Sequence, residues 1–162
     1  MSRILKYLFA IFGLIFVLSG CEKENDFSVI PFLKYVGHEF TLKDGQRFIK
    51  VELYFNDRDG DIGLDQGDTL PPFDINSEYF NNLWVKGFSV FNGEIRDTFL
   101  GFDGRIPNLT PQGQNKSLEG NIFYELSISA VPPGAVLKYE FILIDRALNR
   151  SDPVMTPEIT IE

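Results

Sequence analysis

RFIKVELYF, residues 47–55, reads as a strand with one face in a core. Phe48, Val51, Leu53 and Phe55 are the apolar members of an alternation that slips once, at Ile49 and Lys50. A period of two residues sends alternate side chains to opposite faces, which is the signature of a half-buried strand. This strand runs directly into Asn56-Asp57-Arg58-Asp59-Gly60-Asp61-Ile62-Gly63-Leu64, and Asp65 and Asp68 follow.

The same period recurs outward in both directions. Leu83 to Phe91 reads as a strand around Trp84, Phe88 and Val90. Asn92-Gly93 is a two-residue hairpin signal, and Glu94 to Leu100 returns with Ile95 and Phe99. Ser117 to Ala130 alternates through Leu118, Ile122, Tyr124, Leu126 and Ile128, and Pro132-Pro133-Gly134 turns the chain. Leu137 to Ile144 alternates Leu137, Tyr139, Phe141 and Leu143 before a polar turn, Asp145 to Asp152. Val154 to Ile161 closes the series. On the amino-terminal side, Phe27 to Leu42 is interrupted at Pro31 and reads as one or two edge-type strands, then turns at Asp44-Gly45. Residues 69–82 and 101–116 read as long loops, the first with one helical turn after Asn76. About seven strands and no amphipathic helix give an all-β class. The expected architecture is an immunoglobulin-like antiparallel β-sandwich over residues 28–162.

The first residues follow different rules. Arg3 and Lys6 precede an uncharged apolar run, Tyr7 to Leu18. That run is shorter than the roughly 20 residues that cross a bilayer as a helix, and it has the proportions of a signal peptide over residues 1–20. Leu18-Ser19-Gly20-Cys21 resembles the bacterial lipobox. The resemblance implies cleavage before Cys21, thioether lipidation of Cys21 and acylation of the new amino terminus with a palmitate-type chain. Cys21 is the only cysteine, so the monomer has no internal disulfide. Residues 21–27 form an acidic tether. Glu22-Lys23-Glu24-Asn25-Asp26 looks like the export signal of surface lipoproteins in the Bacteroidetes.

Removing 20 of 162 residues leaves 142, one domain's worth of chain. Loss of Arg3 and Lys6 takes the formal charge from −8 to −10. So acidic a domain is a poor nucleic-acid partner, because that affinity comes from cations on phosphates. It is also repelled by anionic headgroups, which leaves membrane attachment to the lipid at Cys21.

The five aspartates from Asp57 to Asp68 carry the chemistry. Asp57, Asp59 and Asp61 have the i, i+2, i+4 spacing by which a curved loop aims oxygens at one centre, as calcium requires. The loop is no EF-hand: counted from Asp57, the sixth position is Ile62 and the twelfth is Asp68. A calcium site of Asp57, Asp59, Asp61 and Asp65 is expected, completed by Asp145 if the late turn lies at the same end of the sandwich. A solvated Asp-Gly turn is the competing reading. Tyr79 and Trp84 are candidates for a sugar-stacking platform, with core packing as the alternative. His38, the one histidine, stands on an edge-type strand without a catalytic constellation around it in sequence and reads as structural.

With Asp59-Gly60-Asp61-Ile62-Gly63 and Asp145-Arg146-Ala147-Leu148-Asn149-Arg150-Ser151 both in view, the chain resembles uncharacterised Bacteroidetes lipoproteins. These pair an early "DGDIG" loop with a late "DRAxNxS" turn. The resemblance implies an outer-membrane, lipid-anchored protein and no established activity. The expected function is a non-catalytic envelope module with a binding or structural role, calcium-stabilised, whose partner is an envelope protein or a glycan. The alternative is a carbohydrate-binding accessory lipoprotein of a glycan-uptake system.

Overall fold

The structure, a computed structural model, describes residues 28–110 and 117–162. The signal-peptide, lipobox and tether readings, Cys21 included, fall outside the described residues. Among the described residues, eight strands form two antiparallel sheets: β1 (Phe32–Lys43), β2 (Gln46–Asp57), β3 (Leu83–Phe91), β4 (Glu94–Phe99), β5 (Leu118–Ser127), β6 (Val136–Leu143), β7 (Val154–Met155) and β8 (Ile159–Thr160). One sheet has the order β1-β2-β5 and the other β4-β3-β6-β7, with β8 also on β6. The two sheets pack face to face as a β-sandwich.

The core is what the period-two alternation dictates. On β2 the inward residues are Ile49, Val51, Leu53 and Phe55; on β6 they are Leu137, Tyr139, Phe141 and Leu143. Ile122 and Leu126 of β5, with Leu83 and Val85 of β3, complete the layer between the sheets. The slip in residues 47–55 resolves in favour of Ile49, which is fully buried, whereas Phe48 is half-exposed. Phe48 pairs with Ser127 and points away from the core.

Two elements differ from expectation. The first stretch is a single 12-residue strand that starts after Pro31, with a register irregularity between Tyr35 and Gly37. The last stretch is two short strands, not one. Pro157 has no N–H to give a ladder, and Thr156 stands in: its Oγ1 accepts from the Tyr139 N–H at 3.0 Å and donates to the Pro157 carbonyl at 2.8 Å. The expected helical turn is a short 3-10 segment, Glu78–Phe80, capped by Ser77.

The inward phase of β2 and of β6 does not stop at the last apolar residue. The next inward position after Phe55 is Asp57, and the next after Leu143 is Asp145. Both are buried, at 0% and 1% exposure. One strand from each sheet therefore ends on an aspartate aimed inward, and both do so at the same end. Ile62 bridges Asp145, and the Arg146 N–H donates to the Asp61 carbonyl at 3.2 Å.

Candidate functional site

The loop after β2 closes on itself before it meets the other sheet. Asp57 Oδ2 accepts the Asp61 N–H at 3.1 Å, and Gly60, at φ +61°, supplies the reversal between them. Asp59 and Asp61 are half-buried. One carboxylate oxygen from each of Asp57, Asp59 and Asp61 lies within 4.8 Å of the other two. In all three residues Oδ1 is buried without a hydrogen-bond partner.

Asp145 sits beside this cluster at the start of the late turn. Its Oδ1 accepts the Asn149 N–H at 2.7 Å and its Oδ2 accepts Asn149 Nδ2 at 2.8 Å. Leu148 takes the left-handed φ of +68° that this turn needs, a conformation uncommon for a residue with a Cβ. The Asn149 side chain also reaches the Val29 carbonyl at 3.5 Å, and the Arg58 N–H donates to the Ser28 carbonyl at 3.2 Å. The first described residues of the chain are thus clasped by the same two turns.

Burial and mutual repulsion dominate the electrostatics. Burial pushes the Asp57 carboxyl up to about 7, the Asp59 charge adds to it, and the Asp61 N–H pulls the other way. Burial, then the charges of Asp145 and Asp59, lift Asp61 to about 6 against the N–H groups of Ala147 and Arg146. Asp145 is also raised by burial, with the Asn149 bonds opposing. The nearby Arg146 guanidinium is attracted to Asp61 but is engaged chiefly elsewhere. It pairs in bidentate fashion with Asp68, at 2.6 and 3.1 Å, and lies over the Phe73 ring at 5.8 Å. That pairing holds Asp68 below the usual carboxylate range.

Asp65 does not join the converging carboxylates. It is exposed, accepts Asn108 Nδ2 at 3.0 Å and lies 3.9 Å from Arg146. Arg105 explains its course: the guanidinium donates to the carbonyls of Asp65 at 3.0 Å, Asp68 at 2.9 Å and Phe80. The loop is drawn toward Arg105, which stands some 40 residues further on, so local spacing carries no hint of it. Arg105, Arg146 and Asn82 are the organising residues that the sequence reading missed. Asn82 is buried and binds both backbone groups of Ile106.

Tyr79 and Trp84 are brought together, ring centroids 6.1 Å apart and 27° from parallel. Arg150 lies over both rings, 4.4 Å from Trp84 and 5.4 Å from Tyr79, and donates to the Tyr79 hydroxyl at 2.7 Å. Trp84 Nε1 donates to the carbonyls of Glu78 and Asn81. The stack fastens the 3-10 turn to β3 and uses ring face that a sugar would need. His38 bonds the Tyr35 hydroxyl through Nδ1 at 2.6 Å, far from the acidic loop in the sandwich.

Chemically, the aspartate cluster is an all-oxygen, anionic site without nitrogen or sulfur donors, which suits a hard cation. No protein-family model, curated protein or solved structure matches the chain.

Proposed function

We propose that the protein is a lipid-anchored, non-catalytic module of the cell envelope, held in the outer membrane through Cys21 and serving a binding or structural role. The observation that carries this reading is how the chain comes into the domain. Ser28 and Val29 are fixed by Arg58 and Asn149, and Pro31 is buried behind them. Six residues separate Cys21 from Ser28. That stretch spans at most about 25 Å. A lipid at Cys21 would hold the sandwich by its acidic end and turn the β1–β2, β3–β4 and β5–β6 connections outward.

Fractionation of cells fed a labelled fatty acid tests the reading. Wild-type protein is expected in the membrane fraction with acyl label, and Cys21→Ala without label in the soluble fraction. An unlabelled wild type, or a Cys21→Ala protein still held in the membrane, would contradict it.

A glycan-binding role draws on the Tyr79–Trp84 pair. The guanidinium of Arg150 over both rings weakens it, so a glycan array with wild type and Trp84→Ala serves as its test. Binding lost in the variant would favour this second reading.

A further inference from the structure

We propose that Asp57, Asp59 and Asp61 bind a calcium ion that staples the two sheets together at the end where the chain comes in. An acidic cluster alone would not support this, because exposed carboxylates commonly stand together in water. Here Asp57 is fully buried, and Oδ1 of all three aspartates is buried and unpartnered. An ionised carboxylate can only accept hydrogen bonds. Buried acceptors without a donor, on a loop where three carboxylates converge, leave a place for a positive charge.

The dimensions fit calcium. Oxygens that share one Ca²⁺ at 2.3–2.6 Å stand at most about 5 Å apart, and one carboxylate oxygen from each of Asp57, Asp59 and Asp61 lies within 4.8 Å of the other two. Calcium takes six to eight oxygens in flexible geometry, whereas magnesium demands a near-ideal octahedron and gives up water reluctantly. A closed loop site with fixed carboxylates favours the former. The two arginines that organise this region, Arg105 and Arg146, are committed to the loop after it, to carbonyls and to Asp68. Both guanidinium groups spend their hydrogen bonds there, and Arg146 acts on the cluster only through its charge near Asp61.

The staple follows from connectivity. Asp57 ends β2, in the three-stranded sheet, and Asp145 follows β6, in the five-stranded sheet. The loop between Asp57 and Asp61 touches the late turn through the Arg146 N–H and the Ile62–Asp145 bridge. Asn149 orients Asp145, whose charge adds to the field at the cluster, and also holds Val29. An ion held by the three carboxylates would fix the loop, the late turn and the first described residues together. This inference does not depend on lipidation of Cys21.

The test is calorimetric titration of the full chain in detergent with CaCl₂ after chelator treatment. Wild type is compared with Asp59→Asn, Asp61→Asn and the control Asp65→Asn, each shown folded by near-ultraviolet circular dichroism. Asp57→Asn is set aside because a buried substitution risks the fold itself. One calcium per chain is expected in wild type and Asp65→Asn. Affinity should fall roughly 10–100-fold in Asp59→Asn and Asp61→Asn, and MgCl₂ should bind more weakly. Amide exchange at Arg58 and Arg146 should slow when calcium binds. An absence of binding heat, equal affinity in all variants, or a loss confined to Asp65→Asn would overturn the site. Calcium heat without slower exchange at those amides would overturn the staple.

Discussion

Gly63 shows how tightly single residues shape the acidic end. Its φ is +100°, and a Cβ there would lie 2.0 Å from the Pro107 carbonyl oxygen. Neither backbone can withdraw, because Leu64 and Leu109 tie the two segments together through Ile106 and Ile62. Gly63→Ala should therefore cost about 3 kcal/mol or more in urea denaturation. The aspartates make a second prediction, with a sign that can be worked out. Asp57 and Asp61 have raised carboxyls, about 7 and about 6. Between pH 4 and 7 the folded chain then binds protons that the unfolded chain has released, so stability falls as pH rises across that window. In chelator the melting temperature should be higher at pH 5.5 than at pH 8, and Asp61→Asn should flatten the difference. Asp68, whose carboxyl is lowered by Arg146, acts in the opposite direction, but only below that window. The spacing of Asp57, Asp59 and Asp61 was legible in the sequence because three carboxylates on one short loop converge by local geometry. The exclusion of Asp65 was not, because its course is set by Arg105 and Asn108, which come from a distant loop.

At the scale of elements, alternation was the readable signal. Residues 118–127 and 137–143 form strands in the phase their apolar residues announce, whereas in residues 83–91 Leu83 and Val85 face the core and Trp84 and Phe88 stand half-exposed on the opposite face. Two features escaped because local pattern does not encode them. Phe48 and Ile49 are both apolar, and the pairing with β5 decides which one faces inward. The inward phase also passes through Asp57 and Asp145, which look like turn residues when read by type alone. The long loop of residues 69–82 looks unstructured in sequence, yet it is pinned from outside. Arg105 gives hydrogen bonds to the Asp65 and Asp68 carbonyls just before it and to the Phe80 carbonyl within it, and covers the Phe80 ring at 4.9 Å. Bonds with one charged partner contribute about 1.5–3 kcal/mol each when lost from partly buried sites, with strong non-additivity. Arg105→Ala should thus lower stability by about 2–3 kcal/mol and expose residues 65–82 to limited proteolysis. A variant as protease-resistant as wild type would show that the loop holds itself.

The whole molecule is a sandwich with a distinct end. Hydrophobic burial between the sheets supplies most of the cohesion, and Phe141, fully buried and edge-on to Tyr124 at 6.5 Å, is central to it. Phe141→Ala should cost about 3–5 kcal/mol. The acidic end works against that cohesion, since it gathers four carboxylates at the junction of the sheets, where they repel one another. A bound cation changes the sign of that contribution. The relation between the early and late turns is a fact of topology, so the sequence carried it only as a condition.

Thermal unfolding of the full chain, first in chelator and then in millimolar calcium, tests the cation-stapled sandwich most directly. At about 100 times the dissociation constant, calcium would stabilise the fold by about 2.7 kcal/mol. For a domain of this size the expected result is a rise in melting temperature of roughly 5–10 °C. An unchanged melting temperature would contradict the staple and leave Asp57, Asp59 and Asp61 as a repulsive turn held in place by the core alone.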